Sequence, residues 1–268
     1  MREIPKDLKI SNLNWKILNF AIEKGKNVLL TGPTGTGKTK TMYKLKETFP
    51  ERPFFNIPMG SSQDARATLI GNTHYNPTIG TFVVSSYFVN AIQTKNAIIL
   101  LEEISRSSMD AERILMSVLD EQQRFLRIDE SKDTPEIYVA NGVCFLATAN
   151  IGNEYTSTRE LDRAFKERFI DIDMDILNKE EEIELHRFNF PDIDVDIITK
   201  IVDLAMFTRE EYIEQEMNRF INTKQITSFL EFIQSDFTFD ETLIAVIKNK
   251  FELEDYIKIS QYLEKFKE

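Results

Sequence analysis

The sequence predicts an α/β domain with a mostly parallel sheet covered on both faces, followed by an all-helical domain. Three observations predict it. Short, mostly apolar runs at 27–31, 97–101 and 143–149 read as buried strands, because a strand covered on both faces loses the apolar–polar alternation. Helical patterns separate those runs, as parallel connections require. After about Leu177 strand signals nearly vanish and helical ones continue to the end.

Each element follows from local pattern. Residues 13–24 read as a helix, with Trp15, Leu18, Phe20 and Ile22 as apolar positions. The strand at 27–31 precedes a helix at 38–49 that Pro50 stops. Strands at 54–57 and 97–101 come next, then a helix at 109–122 with Ile114, Leu115, Val118 and Leu119 at helical spacing. Residues 143–149 and 169–174 supply the last strands. Two segments read as insertions. Residues 64–82 are rich in breakers, namely Gly71, Asn72, Asn76, Pro77 and Gly80. Residues 125–139 alternate on both sides of a polar turn, the pattern of a hairpin. Helices are then expected at 179–188, 195–219, 224–235, 240–248 and 252–266, with Pro191 parting the first two and Asn222-Thr223 capping the third. The expected domains are 1–177 and 178–268.

Composition bounds the function. The chain has 268 residues, 42% hydrophobic and 29% charged, enough apolar material for a sizeable core. Its 33 basic and 44 acidic side chains leave a net charge of -11, which argues against sequence-independent nucleic-acid binding. Cys144 is the only cysteine, so an internal disulfide and a thiolate metal cluster are both excluded. It lies in an apolar run and reads as packing. The first seven residues lack a signal peptide's apolar core, and no run approaches the roughly 20 apolar residues of a membrane span, so a cytoplasmic location is expected. His74 reads as an exposed loop residue, and His186, in an acidic helical stretch, is read the same way. Tyr75, Phe82 and Tyr87 read as packing under the first insertion, with contact to a substrate as the alternative.

The chemistry begins at Gly32-Pro33-Thr34-Gly35-Thr36-Gly37-Lys38-Thr39, which fits G-x-x-x-x-G-K-[ST] at every fixed place. It follows an apolar strand and precedes a helix. Glycines let the backbone curl around phosphates, with amide N–H groups pointing inward. Lys38 suits the β and γ phosphates of a nucleoside triphosphate, and the Thr39 hydroxyl suits magnesium. A second element, Ala97-Ile98-Ile99-Leu100-Leu101-Glu102-Glu103, ends a buried strand in two carboxylates at the edge where ligands collect. Successive side chains of an extended chain point apart. Glu102 is therefore assigned to the metal, and Glu103 to polarising water or acting as general base. The strand at 143–149 delivers Asn150 to the same edge, where an amide can position water. Arg159, Arg163 and Arg168 follow. Charge pattern alone does not choose between a phosphate role and surface ion pairing for them.

Together these residues resemble the AAA+ ATPases. The resemblance rests on Gly32 to Thr39, Ile98 to Glu103, Ala147-Thr148-Ala149-Asn150, and Leu161-Asp162-Arg163-Ala164-Phe165-Lys166-Glu167-Arg168-Phe169. Within that superfamily the chain looks like the MoxR and dynein-related branch, with its CbbQ, NorQ and GvpN types, because Glu102-Glu103-Ile104-Ser105-Arg106 is similar to that branch's Asp-Glu-Ile-Asn-Arg element. The resemblance implies a P-loop αβα sandwich with a helical lid, using ATP and Mg2+. It implies that Lys38 and Thr39 form Walker A, Glu102 and Glu103 Walker B, and Asn150 sensor 1. Arg168 resembles the arginine finger that reaches a neighbour's nucleotide, with Arg163 as a lesser helper. Lys224 stands where a sensor 2 arginine is usual. The two insertions resemble the branch's helix-2 insert and pre-sensor-1 hairpin. The family further implies a homo-oligomeric ring, commonly a hexamer, that remodels or activates a protein client, sometimes one with a von Willebrand A domain. A nucleic-acid or GTP motor, and a nucleotide-gated assembly subunit, are the alternatives. Two departures stand out: Glu102 replaces an aspartate, and Lys224 cannot reproduce an arginine's bidentate fork.

Overall fold

The computed structural model describes residues 2–60, 64–78, 80–128, 135–150 and 161–264, with the side chains of 73, 76 and 81–83 outside that description. Arg159 and the expected turn at 129–134 fall outside it. Two compact units emerge. One comprises Met1–Pro5, Ile10–Gly32 and Lys38–Met174, the other Lys6–Lys9, Pro33–Gly37 and Asp175–Glu268.

The first unit opens with α1 (Asn12–Lys24), where the Ser11 side chain accepts from the Asn14 N–H and Gly25 closes the helix at φ 65°. Trp15, Leu18 and Ile22 form its buried stripe. Then come β1 (Val28–Thr31), α2 (Lys38–Thr48) and β2 (Phe54–Pro58). The first insertion holds α3 (Ala65–Leu69), capped by Asp64, and an antiparallel hairpin of β3 (Gly71–Asn76) and β4 (Gly80–Ser85). The breaker-rich reading missed this hairpin because Gly71, Asn72, Asn76 and Gly80 lie inside its strands, and β3 carries polar residues where apolar ones mark the other strands. His74 is exposed, but in β3 and not in a loop. The Phe82 side chain lies outside the described residues, while Tyr75 and Tyr87 are exposed. An unforeseen α4 (Tyr87–Gln93) follows, with Ser86 as its cap and Phe88, Val89, Ala91 and Ile92 buried.

The chain continues through β5 (Ile98–Glu102), a 3₁₀ turn at Ile104–Arg106 and α5 (Met109–Leu119), which Ser108 caps. The second insertion pairs β6 (Phe125–Arg127) with β7 (Glu136–Tyr138). After β8 (Cys144–Thr148) come the short α6 (Arg163–Lys166) and β9 (Ile170–Asp173). Five parallel strands form one sheet in the order β2-β5-β8-β1-β9. Their register aligns Leu30 with Thr148, Leu101 with Ala147 and Pro58 with Glu102, so the carboxyl ends of four strands share one edge. Leu29, Ile99, Leu101, Phe145 and Ala147 join helical side chains such as Phe88, Leu115 and Phe165 in one core. Cys144 is buried, its Sγ 2.9 Å from the Lys26 carbonyl, and burial pushes its thiol up to about 12.

The second unit is helical: α7 (Lys179–Asn189), α8 (Val195–Ile213), α9 (Thr223–Gln234), the short α10 (Phe239–Thr242) and α11 (Leu253–Glu264). Capping boxes start α7 (Asn178 with Glu181) and α9 (Asn222 with Gln225). Three expectations change here. The helix expected over 195–219 stops at Ile213, where Gln215 takes φ 63° and the Glu216 and Met217 N–H groups turn back to the Glu211 carbonyl. The helix expected over 240–248 is split into α10, a π turn at Leu243–Ile247 and a 3₁₀ turn at Lys248–Lys250, which bury Leu243, Val246 and Ile247. His186, expected at the surface, is fully buried beside Glu182. Among the described residues no helix is long and apolar enough to cross a membrane.

Candidate functional site

The loop between β1 and α2 is built from glycines for steric reasons. Gly32 lies at φ 140°, and a Cβ there would stand 2.2 Å from the Met174 carbonyl oxygen. Gly35 and Gly37 take φ 90° and 88°, the left-handed region that side chains resist. The Thr36 hydroxyl donates to the Pro33 carbonyl and tightens the turn. Lys38 opens α2, and its Nζ donates to the Gly32 carbonyl at 2.7 Å, so its side chain folds back along the loop. Burial pushes the Lys38 ammonium down to about 8, against the opposing pull of the Glu103 carboxylate.

Thr39 and the acidic pair meet at the strand tips. The Thr39 hydroxyl donates to Glu102 Oε1 at 3.3 Å. The other oxygen of Glu102 accepts from Asn56 Nδ2 at 3.0 Å, and the same amide reaches the Tyr43 hydroxyl at 3.1 Å. Glu102 is the last residue of β5, whereas Glu103 has left the strand for φ 56°, ψ 47°. The two acids do diverge, but a left-handed backbone step separates them instead of strand alternation. A non-glycine residue in that region stores strain, which functional sites concentrate. The Glu103 N–H donates to Thr148 Oγ1 at 3.1 Å, and its carboxylate faces Arg106 at 3.5 Å. A Cβ on Gly60 would come within 2.9 Å of the same carboxylate, so glycine leaves that space open. Asn150 lies two residues beyond β8, where the Ala149 N–H donates to the Leu30 carbonyl and carries the parallel alignment past the strand.

Lys38, Thr39, Glu102 and Glu103 are thus brought to one edge. Arg168 has a different setting. Its guanidinium donates to the carbonyls of Met116 at 2.9 Å and Ala164 at 2.5 Å and pairs with Asp120 at 3.3 Å, leaving its side chain 22% exposed. Arg163 is 93% exposed and meets only Glu167, one helical turn on, among the described residues. Lys224 is exposed at the second position of α9. Sequence reasoning passed over Asn56 and gave no role of their own to Thr148 and Arg106, which stand in the motifs that carry the resemblance. Asn56 carried a signal, being the one polar residue in Phe54-Phe55-Asn56-Ile57, and Thr148 likewise interrupts an apolar run.

Among the described residues no group of three or more His, Cys, Asp or Glu side chains is placed to hold a metal. A hydroxyl beside one carboxylate is a different kind of site. It supplies hard oxygen donors for a magnesium ion whose remaining ligands are phosphate oxygens and water, and Thr39 with Glu102 fits that requirement.

Several known proteins are similar to this chain. An uncharacterized protein of Staphylococcus saprophyticus is 28% identical over 204 residues, covering 73% of this chain and 74% of its own. YojN of Bacillus subtilis, also uncharacterized, is 32% identical over 60% of this chain and 51% of its own. BssE of Thauera aromatica, described as a proposed chaperone, is 31% identical over 59% of this chain and 54% of its own. The chain thus matches about half the length of the last two. A crystal structure of a proposed ATPase from Cytophaga hutchinsonii is 22% identical, with a TM-score of 0.47 over 74% of this chain and 60% of its own. The model of the AAA domain (dynein-related subfamily) matches residues 27–169, more than half of the chain, from the strand before the phosphate loop through Arg168. The chain belongs to this dynein-related family of AAA domains, within the AAA+ ATPases.

Proposed function

We propose that this chain binds ATP with magnesium at residues 32–39, hydrolyses it, and works as a ring-forming motor that remodels or activates a protein client. The observation that carries the reading is the meeting of Lys38, Thr39, Glu102 and Glu103 at one sheet edge. Gly32, Thr34, Gly35, Thr36 and Gly37 offer backbone N–H groups to the phosphates, Pro33, which has no N–H, shapes the turn among them, and Lys38 supplies a charge to the β and γ groups. Thr39 and Glu102 hold the magnesium, which, when bound, offsets phosphate charge. Glu103, turned out of the strand, takes the proton of the attacking water. Asn150 orients that water. Turnover by the purified chain, abolished by EDTA and by Lys38→Ala, tests this; ATP uptake without any turnover would favour the assembly-subunit reading.

In this reading residues 1–177 are the catalytic core and 178–268 the helical lid, and copies assemble as a hexamer of the MoxR branch type found in CbbQ, NorQ and GvpN. Lys224 takes the sensor 2 role in this reading. The description of BssE as a proposed chaperone favours a protein client, and the net charge of -11 weighs against nucleic acid. A cytoplasmic setting suits both. Arg168 reaches a neighbouring subunit only by leaving Asp120, Met116 and Ala164, whereas exposed Arg163 would leave a single surface pair with Glu167. We therefore place Arg163 ahead of Arg168 as the arginine offered in trans. Turnover of Arg163→Ala and Arg168→Ala at equal ring content separates them, since normal turnover of Arg163→Ala would return the role to Arg168. Glu103→Gln with ATP is the variant for capturing the client. Stimulation by DNA or RNA and by no protein would end the protein-client reading, and comparing GTP with ATP tests the base.

A further inference from the structure

We propose that Gly60 and Arg106 are positioning residues that seat the Glu103 carboxylate, holding Oε2 and leaving Oε1 for the proton of the attacking water; the proposal rests on the hydrolysis reading above. Strand pairing brings the three residues together. Pro58 pairs with Glu102 at the end of β2, and the Met59 N–H donates to the Glu102 carbonyl at 2.9 Å, so Gly60 arrives beside Glu103. A Cβ built on Gly60 would stand 2.9 Å from Glu103 Oε2 and 3.3 Å from both Cβ and Cδ of Arg106. Arg106 Nε faces the same carboxylate oxygen at 3.5 Å.

Backbone conformation does not call for a glycine at 60. Gly32, Gly35 and Gly37 take a positive φ, which favours glycine, but Gly60 does not. What glycine supplies at 60 is room. A methyl group there would fall where Oε2 lies, and the end of a flexible side chain swings aside at little cost. The fold would survive such a change, but the carboxylate would be displaced.

The frame under the carboxylate is pinned. The Glu103 N–H donates to Thr148 Oγ1 at 3.1 Å, and the Glu103 carbonyl accepts the Arg106 N–H at 2.9 Å. With both backbone groups held, side-chain rotation alone moves the carboxylate, and the space at Gly60 with the Arg106 charge selects one position. In that position it lies within electrostatic reach of Lys38, the residue assigned to the β and γ phosphates. Oε1 meets no partner among the described residues. One oxygen held and one open is the arrangement a general base needs to be aimed and still accept a proton. Arg106 contributes direction more than stability, since a half-exposed pair at this distance is weak.

The test uses the full chain. It reads kcat with MgATP, the Kd of a non-hydrolysable ATP analogue by calorimetry, and the melting temperature without nucleotide. Gly60→Ala should lower kcat about tenfold or more, with Kd and melting temperature near those of the unaltered chain. Glu103→Asp draws the carboxylate back by one methylene, away from position 60. In that background Gly60→Ala should lower kcat by no more than about twofold. Equal losses in the two backgrounds would mark a general distortion and overturn the inference, as would turnover that Gly60→Ala leaves unchanged or raises. Should Gly60→Ala fail to fold, Arg106→Ala decides in the same two backgrounds, with a loss of about threefold or more expected in the native one and a smaller loss in Glu103→Asp. An unaltered chain that binds the analogue but never hydrolyses ATP is a separate result, and it overturns the hydrolysis reading together with this one.

Discussion

Glu103 meets Arg106 at 3.5 Å with the two side chains 41% and 37% exposed, whereas Glu182 meets Arg209 at 2.5 Å inside the helical unit with almost no exposure. Both are glutamate–arginine pairs, yet their surroundings give them opposite properties. Among the described residues Glu103 makes one long, half-solvated ion pair, lies within electrostatic reach of Lys38, and sits on a left-handed backbone step. Glu182 accepts from Arg209, Thr223 and His186 together. Burial alone would raise the Glu182 carboxyl, but those bonds outweigh it and hold the group below the usual carboxylate range. A weakly held acid can turn toward water and ligand. A fully satisfied buried acid fixes the chain around it, here Leu177, Ile221 and Thr223 through Arg209 and its own oxygens. The difference teaches that burial and partner count, not residue type, separate a carboxylate free to react, the role proposed for Glu103, from a framing one.

The largest expected effect tests the reacting side. Glu103→Gln should lower kcat by about 10²- to 10⁴-fold, as loss of a general base does, while ATP affinity and melting temperature stay near those of the native chain. Steady-state turnover beside equilibrium binding measures it. Normal turnover by this variant would remove Glu103 from the chemistry and erase the contrast.

The framing side is tested through stability. Glu182→Ala leaves the Arg209 guanidinium buried without its carboxylate, which typically costs about 3–5 kcal/mol. Calorimetric melting should show the loss chiefly in the transition of the helical unit, resolved separately if the two units unfold apart. The depressed Glu182 carboxyl also sets a sign with pH. Its contribution is present above the ordinary glutamate range near 4.5 and is lost as pH falls through its lower folded value. A Glu182→Ala chain as stable as the native one would mean that the network frames nothing.

Much of this was legible in the sequence, for reasons that show where legibility stops. Gly32 to Thr39 could be read because every requirement is local: glycines for positive φ, then a helix carrying Lys38 and Thr39. The strands at Val28–Thr31, Ile98–Glu102 and Cys144–Thr148 were visible because central parallel strands are apolar on both faces. The contacts of Asn56 and Thr148 could not be read because they depend on strand order: β5 lies between β2 and β8, which brings their side chains to Glu102 and Glu103. Asn222 was readable as a cap, a local property, but its contact with Gly35 joins distant parts of the chain. Arg168 shows the same limit: its motif was plain, its bonds to Met116 and Asp120 were not.

A proton-linked effect sharpens the comparison at the phosphate loop. The Lys38 ammonium stands near 8 in the folded chain against 10.5 ordinarily, so between those values the unfolded chain binds more protons and stability without nucleotide rises with pH. ATP restores the charged form. Binding above pH 8 should therefore take up a proton, approaching about one per site, and affinity should fall by up to about tenfold per pH unit there. Calorimetry at pH 9 in buffers of different ionisation enthalpy measures the uptake. It should vanish in Lys38→Arg, whose guanidinium does not titrate. Uptake that persists in that variant would place the titrating group elsewhere.

The smallest expected effect bears on Arg106. Removing the cation from the buried pair, by Arg209→Ala, strands Glu182 and breaks the bonds to Ile221 and Leu177 as well. Removing it from the half-solvated pair, by Arg106→Ala, returns Glu103 to water at one edge, where such pairs contribute about 0–1 kcal/mol. Arg106→Ala should therefore leave the melting temperature nearly unchanged, while Arg209→Ala lowers it clearly, in side-by-side scans without nucleotide. Equal losses would mean that the Glu103 contact frames the strand tips as firmly as Glu182 frames the helices. The carboxylate would then not be free to turn toward water, and its left-handed backbone step would need a structural explanation instead of a catalytic one.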